Sequence, residues 1–273
     1  MDEPAGLRIE RRNGLALFTI DRETRRNALD SATSAALDAA VEAAETDPAI
    51  RVLLLTAAGD KAFCSGMDLK EAAQSGAGNG LVPGRGFGGL TERRRRKPLI
   101  VAINGAAVAG GFEIMLAADI VIAAEHAIMG LPEIKRGMFA FAGGIQRLSR
   151  ALPRAAALGL ILTGETIDAR RAWQLGLVTE VVPAAELMPR AFAIADLLLG
   201  YDPAMAARSK ALHDFAAAAP IDESLGFGRA WGQETLQSAA VREGIGAYVE
   251  GRAADFDGSA SSSRPVRSSP SIP

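Results

Sequence analysis

Short, nearly unbroken apolar segments alternate with helical segments along this chain of 273 residues, and the alternation limits the folds it can adopt. Segments 50–56 and 99–103 are mostly aliphatic, which predicts two buried β-strands. A third strand is expected at 120–123, and a shorter extended piece at 127–129. The alternation of strands and helices predicts an α/β fold.

The N-terminal part predicts a β-hairpin followed by a helix. An Asn-Gly pair at 13–14 separates the segments 8–11 and 15–20, and this pair is the strongest short-range signal for a hairpin turn. Asp30 or Ser31 can cap the helix that follows, because both side chains accept hydrogen bonds from free backbone N–H groups.

The second half of the chain reads as mainly helical, with two irregular segments elsewhere. The glycine-rich segment 74–89 is expected to be a mobile loop. Residues 258–273 are rich in Ser and Pro and are expected to be a disordered tail. Helices are predicted at 155–162, 168–175, 185–199, 203–218 and 225–249.

Composition excludes several classes of function. The chain is 49% hydrophobic, which fits a globular protein with a substantial core, and its net charge of −2 argues against bulk attraction to nucleic acid. No apolar run approaches the length needed to span a membrane. The N-terminus is acidic and lacks an apolar signal core, so we expect a cytoplasmic protein without membrane attachment.

The sequence offers little for metal or thiol chemistry. Cys64 is the single cysteine, which excludes an intrachain disulfide framework, and we expect it to be a small packing residue. His126 and His213 are the two histidines and lie in separate contexts, so we expect no metal site and no His-based nucleophilic triad.

Two glutamates lie where a carboxylate is costly. Glu113 and Glu133 each occupy a mostly apolar stretch, and a buried carboxylate needs a partner or a function. Two carboxylates that share a partly dry site do not both ionise easily, so one can act as a neutral acid and the other as a charged base. Each glutamate alone could equally be a capping carboxylate near a helix start.

Four segments together resemble one protein family. The chain has Arg-Asn-Ala-Leu at 26–29, and Lys-Ala-Phe-Cys-Ser-Gly-Met-Asp-Leu-Lys at 61–70. Segment 103–119 contains Asn-Gly and then Ala-Gly-Gly-Phe-Glu, and segment 131–148 runs from Leu-Pro-Glu to Gly-Gly-Ile-Gln-Arg-Leu. In this order and spacing the four segments resemble the enoyl-CoA hydratase/isomerase (crotonase) superfamily over roughly residues 7–256.

The resemblance implies a fold, a substrate class and an assembly. It implies a crotonase-like spiral of ββα units over residues 1–200, which would bind and transform acyl-CoA thioesters. It also implies a helical oligomerisation region over 201–257, in a homotrimer or a dimer of trimers. Coenzyme A would be part of the substrate, and no separate cofactor is implied.

Glycines in two of these segments suit close approach of a ligand to the backbone. Gly66 and Gly110 carry no side chain that would keep a ligand away. By the resemblance, the backbone N–H groups of Met67 and Gly110 form an oxyanion hole for the thioester carbonyl. The alternative reading is that the glycines only permit tight packing of helix against strand.

The same resemblance assigns Glu113 and Glu133 to the two hydratase glutamates. They would hold one water molecule, add its hydroxyl at C3 and deliver a proton to C2 of an enoyl-CoA. Simple isomerases of the family usually keep only the second glutamate, so the pair favours a hydratase. An isomerase, a specialised acyl-CoA dehydratase and a non-catalytic CoA-ester binding paralogue stay open as alternatives.

Substrate and CoA contacts are implied by the resemblance around the same segments. Arg25, Arg26 and Lys70 are candidates for the phosphates, although each could equally be a solvated surface charge. The full set of implied contact residues is Arg26, Ala28, Leu29, Ser65, Gly66, Asp68, Leu69, Lys70, Gly111, Pro132 and Phe141.

The chain departs from the family pattern at two places. Phe141 stands where family hydratases commonly have a glycine, and Phe139 and Phe141 either shape an acyl pocket or fill the core. Gly251 stands where many members have a lysine that meets a CoA phosphate, and Arg252 is the candidate substitute.

A compact basic run covers Arg93–Lys97. Basic runs can bind nucleic acid, but no aromatic residue is interleaved here to stack on bases. We therefore interpret the run as the solvated end of a helix before Pro98, with a position near the CoA phosphates as a further possible role.

Overall fold

The computed structural model describes residues 6–76 and 78–256, which fall into two compact units that divide between Ala195 and Asp196. The N-terminal unit contains all the β-strands that the structure describes, and the C-terminal unit is helical. The predicted α/β fold is confirmed. The predicted disordered tail, 258–273, lies outside the described residues. Every helix in the described ranges is too short or too polar to cross a lipid bilayer.

A six-stranded sheet forms the base of the N-terminal unit, in the order β1-β2-β3-β7-β9-β12. The first pair, β1 and β2, is antiparallel, and the other pairs are parallel. The strands are β1 Leu7–Arg12, β2 Leu15–Ile20, β3 Val52–Ala57, β7 Leu99–Ile103, β9 Ile120–Ala124 and β12 Glu180–Val182.

The central strands are buried along their whole length. All residues of β2, β3 and β7 are buried, as expected for parallel strands covered on both faces. Their continuous apolar sequences therefore fit this sheet, and the predicted strand at 99–103 has the bounds that the structure gives.

A second sheet of four short strands positions the candidate site. Its order is β11-β10-β8-β4, and β4, β8 and β10 run parallel to one another. At their carboxyl ends these three strands lead directly into the loops that carry Met67, Gly110 and Glu133. The carboxyl edge of parallel strands is where α/β proteins generally bind ligands. These strands are β4 Ala62–Cys64, β8 Ala106–Val108, β10 Ile128–Gly130 and β11 Thr166–Asp168.

The first helix, α1 (Ser31–Thr46), shows how the local sequence sets the helix bounds. Asp30 is the N-cap, and its Oδ1 accepts a hydrogen bond of 2.8 Å from the N–H of Thr33. Leu37 and Val41 lie on the buried face at a spacing of four residues. The other helices of the N-terminal unit are α2 Leu69–Ser75, α3 Gly110–Leu116, α4 Gly144–Ala151, α5 Arg154–Thr163 and α6 Ala169–Gln174, with 3-10 helices at Glu23–Arg25, Pro132–Arg136 and Ala184–Glu186.

Helix α7 (Leu187–Leu199) spans the division between the two units, and three helices follow it. They are α8 Pro203–Ala216, α9 Ile221–Leu236 and α10 Ala239–Glu250. The single helix predicted over 225–249 is therefore wrong. The Ser238 side chain accepts a hydrogen bond of 3.2 Å from the N–H of Val241 and so caps a new helix.

The prediction of a structureless loop at 74–89 is also wrong in part. This segment contains a two-stranded antiparallel hairpin, β5 (Leu81–Val82) and β6 (Gly86–Phe87). The Phe87 side chain is buried in the core of the N-terminal unit, which holds the hairpin against the protein. Leu81, Val82 and Phe87 are too few apolar side chains among the glycines to predict such a hairpin.

The interpretation of the basic run as a solvated helix end is wrong. Residues 93–97 have no helical structure, and the Arg93 side chain is buried. Its guanidinium group pairs with Asp38 and Glu42 on α1, while the ammonium group of Lys97 donates to the carbonyls of Ala44 and Asp47 at 2.5 and 2.6 Å. These side chains fasten the segment to the end of α1, because the last carbonyls of a helix need external donors.

Candidate active site

Glu113 lies at the start of one helix and accepts a hydrogen bond from the start of another. It lies in the first turn of α3 and only 4% of its surface is exposed. Its Oε1 accepts a hydrogen bond of 2.9 Å from the N–H of Gly144, at the start of α4. Burial raises the pKa of Glu113 above its ordinary value, while the N–H groups of Gly144 and Ala142 and the charge of Arg147 oppose the rise.

Glu133 is less buried than Glu113 but has fewer hydrogen-bond partners. It lies in the 3-10 helix Pro132–Arg136, and its buried Oε2 makes no hydrogen bond with any residue that the structure describes. Burial raises the pKa of Glu133 to about 7, and the negative charge of Glu113 adds to the rise. The two carboxylates therefore interact electrostatically, as their assignment to one site requires.

The backbone segments that carry Met67 and Gly110 approach each other closely at Gly66. Gly66 has a φ of +89°, and a Cβ built on it would lie 2.9 Å from the Cβ of Ala109 and 3.2 Å from the nitrogen of Gly110. Neither the Met67 nor the Gly110 N–H donates a hydrogen bond to another residue in the described part of the chain. Both N–H groups are therefore without a hydrogen-bond partner among the described residues, and Gly110 begins the helix that carries Glu113.

Tight packing holds the segments that carry these donors, and it keeps Ala109 in a strained backbone conformation. Ala109 has a φ of 53° and a ψ of −128°, a conformation that costs an alanine on the order of 1–3 kcal/mol, and its N–H donates to the carbonyl of Gly130 at 3.0 Å. Behind the donors, a Cβ on Gly111 would collide with the carbonyl of Cys64. The packing reading of the glycines therefore holds for Gly111, whereas Gly66 and Gly110 also border the two donors.

Cys64 takes part in this packing and has no reactive character. The thiol is buried, and burial raises its pKa to about 12, so the reactive thiolate form is absent at neutral pH. The prediction that Cys64 is a packing residue is confirmed.

Hydrogen bonds of a buried and a half-buried side chain fix the loop at 26–29. The Asn27 side chain is buried and donates to the carbonyls of Ala58 and Ala62 at 2.9 and 2.7 Å. Arg22 donates to the carbonyl of Ala28 and pairs with Asp30 and Asp68 at 2.5 and 3.1 Å. Neither Arg22 nor Asn27 was predicted as a site residue, because their partners are distant in sequence.

Two of the predicted contact residues support the site from within. Leu29 is fully buried, and its N–H and carbonyl bond to Gly66 and Asp68, both at 2.9 Å. The Asp68 carboxylate caps α2 by accepting from the N–H of Lys70 at 3.0 Å. Both residues fix the loop that carries Met67, and these contacts leave them no side chain directed at a ligand.

Five of the other predicted contact residues are more accessible, whereas Ala28, Gly66 and Gly111 are buried. Ser65 and Pro132 are half-buried, and Arg26, Leu69 and Lys70 are exposed. Ser65 donates its N–H to the carbonyl of Arg26 at 3.2 Å, which joins segments 26–29 and 61–70. The structure thus brings the predicted phosphate candidates Arg26 and Lys70 onto two linked segments.

Phe139 and Phe141 do not fill the core. Their side chains are 65% and 48% exposed, and the two rings meet edge to face with centroids 5.8 Å apart. The segment that carries them is fixed at both ends, because Met138 N–H donates to the carbonyl of Glu133 at 3.2 Å and Gly144 N–H to Glu113. The two rings are therefore carried by a segment whose ends are bonded to Glu133 and Glu113.

In the C-terminal unit, Arg252 already has partners. Its guanidinium group bonds the carboxylates of Glu243 at 2.6 and 3.0 Å and of Glu250 at 2.6 Å. The arginine lowers the pKa of Glu243 to about 2 through these hydrogen bonds. Gly251 ends α10 in a left-handed conformation, with a φ of 68°. Arg252 thus pairs with two carboxylates at the end of α10, and its role as a substitute for a phosphate-binding lysine stays a prediction.

A metal centre has no support among the described residues. No group of three or more His, Cys, Asp or Glu side chains there is arranged to hold a metal ion. What the site offers is a pair of coupled carboxylates beside two free backbone donors. Such a site can move protons at a carbon next to a carbonyl group whose oxygen receives negative charge.

Comparison with known proteins gives a consistent result. A sequence model of the family described as Enoyl-CoA hydratase/isomerase matches residues 10–259. A protein of Salmonella typhi named carnitinyl-CoA dehydratase is 37% identical over 253 residues, which cover 90% of this chain and 97% of that protein. A carnitinyl-CoA dehydratase of Escherichia coli O157:H7 is 38% identical over 79% of this chain and 83% of its own length.

Solved structures share the fold. The structure of an enoyl-CoA hydratase from Mycobacterium tuberculosis H37Rv matches with a TM-score of 0.86 and 35% identity, over 93% of this chain and 98% of that one. A carnitinyl-CoA hydratase from Mycobacterium avium matches with a TM-score of 0.74 and 39% identity, with the same coverage. The expected crotonase-type architecture is confirmed by these matches.

Proposed function

Because the chain belongs to the enoyl-CoA hydratase/isomerase family, whose matched members are hydro-lyases, we propose that it is an enoyl-CoA hydratase. The reaction is the reversible syn addition of water across the 2,3 double bond of an acyl-CoA thioester. The observation that carries the proposal is the coupled pair Glu113 and Glu133, in which burial raises both pKa values.

Two carboxylates in different environments suit the two proton transfers of hydration. One carboxylate accepts a proton from water as the hydroxyl oxygen forms its bond to C3. The other, as a carboxylic acid, gives its proton to C2, so the pair ends with the same number of protons. A carboxyl group with a pKa of about 7, like that of Glu133, is well matched to this exchange at neutral pH.

Addition at C3 places negative charge on the thioester oxygen. The N–H groups of Met67 and Gly110 are available to donate to this oxygen. Each such donor typically stabilises the transition state by about 3 kcal/mol. The close approach that Gly66 permits supports this role, since a side chain there would occupy the space beside both donors.

A second candidate is dehydration of a specialised 3-hydroxyacyl-CoA, and one feature favours it. The exposed pair Phe139 and Phe141 presents aromatic surface on the segment whose ends are bonded to Glu133 and Glu113. Aromatic faces bind quaternary ammonium groups as well as apolar chains. Two of the relatives above are named carnitinyl-CoA dehydratases, and the carnitinyl group carries a quaternary ammonium.

Assembly as a homotrimer or dimer of trimers is part of the proposal. Large apolar side chains of the C-terminal unit are exposed, among them Leu236, Ile245 and Tyr248, and exposed apolar surface of this kind supports an interface. Analytical ultracentrifugation separates a trimer from a hexamer, and a monomer would contradict the proposal.

A panel of enoyl-CoA esters tests the main proposal. Wild-type protein is expected to remove the enoyl absorbance of crotonyl-CoA, and Glu113→Gln and Glu133→Gln are each expected to lower kcat by about 10²- to 10⁴-fold. The exposed Glu186→Gln is the matched control and should keep full activity.

Three outcomes separate the alternatives. Binding of CoA esters without turnover on short, medium or long enoyl-CoAs would establish a non-catalytic paralogue. A double-bond shift that depends only on Glu133 would establish an isomerase. Turnover of carnitinyl-CoA with no hydration of crotonyl-CoA would establish the specialised dehydratase.

A further inference from the structure

Arg147 interacts electrostatically with Glu113, and its contacts reach both the start of α4 and the segment after β6. It sits in the first turn of α4, and its guanidinium group is half-buried. Nη1 lies against the α-carbon of Gly143, where a Cβ would collide with it. Gly143 is the N-cap of the helix whose next residue, Gly144, donates to Glu113. The guanidinium group thus packs on the residue that begins the support of Glu113.

The same side chain also contacts the segment that follows the hairpin β5–β6 in the sequence. Nη2 of Arg147 donates to the carbonyl of Thr91, which is fully buried. The hydroxyl oxygen of Thr91 in turn accepts a hydrogen bond of 2.8 Å from the N–H of Phe87. The Phe87 ring packs directly on Gly110, where a Cβ would overlap the ring. Arg147 therefore connects the two halves of the site through Thr91 and Phe87.

The charges around Glu113 come from three elements. Glu133 faces it from the 3-10 helix, Glu92 from the segment after β6, and Arg147 from α4. Arg147 itself also faces Arg95 and Arg150. Arg147 thus supplies the positive charge that opposes two carboxylates and the burial of Glu113.

We propose that Arg147 is a positioning residue that keeps Glu113 the ionised member of the glutamate pair and seats Phe87 against Gly110. The inference rests on the proposed function and deepens it by naming the side chain that supports Glu113 and Phe87. Glu113 then accepts the proton from water during hydration, and Glu133 holds the proton that goes to C2. Arg147 acts through Glu113 and Phe87 and has no direct contact with the reacting atoms.

Two variants separate the charge of Arg147 from its hydrogen bond. Arg147→Gln removes the charge and keeps an amide that can donate to the Thr91 carbonyl. Arg147→Lys keeps the charge. Arg150→Met is the matched control, because Arg150 is an exposed arginine on the same helix. Circular dichroism and thermal melting establish that each variant is folded.

The first readout is infrared titration of the carboxyl groups. For each protein, the spectrum of the same protein carrying Glu113→Gln is subtracted, which isolates the signal of the Glu113 carboxyl group. This titration does not require turnover. Without the positive charge, the carboxylate of Glu113 loses a favourable interaction, so its protonated band should persist to higher pH in Arg147→Gln. Arg147→Lys and Arg150→Met should titrate like the wild type.

The second readout is the pH profile of kcat/KM for hydration. The acidic limb should move to higher pH in Arg147→Gln, because a higher pKa leaves less of the Glu113 carboxylate ionised at any acidic pH. Arg147→Lys should restore the limb, whereas a merely structural role would lower activity equally at all pH values.

An unchanged Glu113 titration in folded Arg147→Gln overturns the inference. If Arg147→Gln does not fold but Arg147→Lys does, the Glu113 titration is compared between Arg147→Lys and the wild type. Arg147→Lys keeps the charge, so a shift of the Glu113 titration to higher pH, as large as the shift expected from charge loss, also overturns the inference. A wild type that titrates as expected but never hydrates an enoyl-CoA would refute the proposed function and leave the role of Arg147 intact.

Discussion

The N–H of Gly144 donates a hydrogen bond of 2.9 Å to Oε1 of Glu113, across 31 residues of sequence. This bond joins the start of α4 to a carboxylate on α3, and it compensates part of the cost of burying that carboxylate. A Cβ on Gly144 would lie 3.0 Å from both Cγ and Oε1 of Glu113. The absence of a side chain at 144 is therefore part of the geometry of the site.

Gly144→Ala should displace Glu113 and lower kcat by about tenfold to a hundredfold, since small displacements of reacting groups are costly. The matched control is Gly159→Ala in the exposed middle of α5, where an added Cβ meets nothing within 4 Å. That control should keep full activity and raise the free energy of unfolding by about 0.5–1 kcal/mol. Equal kcat values for Gly144→Ala and the wild type would contradict the expectation.

Gly66→Ala should impair the two backbone donors. An alanine would have to adopt a φ of +89° and would crowd Ala109 and the nitrogen of Gly110. We expect kcat to fall by about 10²-fold or more, as on loss of one oxyanion donor. Gly84→Ala, with a φ of +68° and nothing within 4 Å of its Cβ, is the control for backbone strain alone. If both variants lose activity equally, the explanation through Met67 and Gly110 is wrong.

Glu133→Gln should stabilise the protein at alkaline pH, although it lowers kcat by about 10²- to 10⁴-fold. The folded pKa of Glu133, about 7, lies above the ordinary value of 4.5, so the folded state binds more protons than the unfolded state between these values. Wild-type stability therefore falls as pH rises through this window. Urea denaturation should show Glu133→Gln more stable than the wild type at pH 8, by on the order of 3 kcal/mol, with a much smaller difference near pH 4.

Replacing Phe139 and Phe141 together by Ala should change selectivity for the acyl group more than the chemistry. If the rings cover an alkyl chain, the kcat/KM of the wild type rises by up to about fourfold for each methylene that they bury. The double variant loses this dependence on chain length. If they bind a quaternary ammonium, activity on carnitinyl-CoA falls and activity on crotonyl-CoA is retained. An equal loss on every substrate would show that the pair only supports the fold.

Arg93→Met should destabilise the protein by about 1–3 kcal/mol, because it leaves the buried carbonyl of Gly89 without its hydrogen-bond donor. It also removes the buried partner of Asp38 and Glu42. The neighbouring Arg94→Met is the control, since Arg94 is exposed, and its effect should stay within about 0.5 kcal/mol. Thermal or urea unfolding measures both. Retention of RNA by the wild type that is lost on replacing residues 93–96 by alanine would instead revive a nucleic-acid role for this segment.

Local signals predicted the elements whose causes are local. The Asp30 cap, the Asn-Gly turn and the apolar segment of β7 each depend on residues within one element, and all three are present in the structure. The break at Ser238 also has a local cause, but a serine inside a helical pattern is a weaker signal than a glycine or proline. It was missed for that reason.

Contacts between distant segments explain what the sequence could not predict. The burial of Arg93 depends on α1, and the packing of Phe87 depends on Gly110. The engagement of Arg252 depends on a carboxylate on the preceding helix, Glu243. None of these partners has a fixed spacing along the chain, so composition and periodicity carry no information about them.

The sequence by itself determined the α/β class, the family and the identity of the two glutamates, because motifs and apolar periodicity are properties of short segments. Only the tertiary structure decided how dry each carboxylate is. Glu113 receives N–H groups from α4 and faces Arg147, whereas Oε2 of Glu133 finds no partner among the described residues. The free energy of a buried charge depends on every group around it in three dimensions, and the chain sets those neighbours only when it folds.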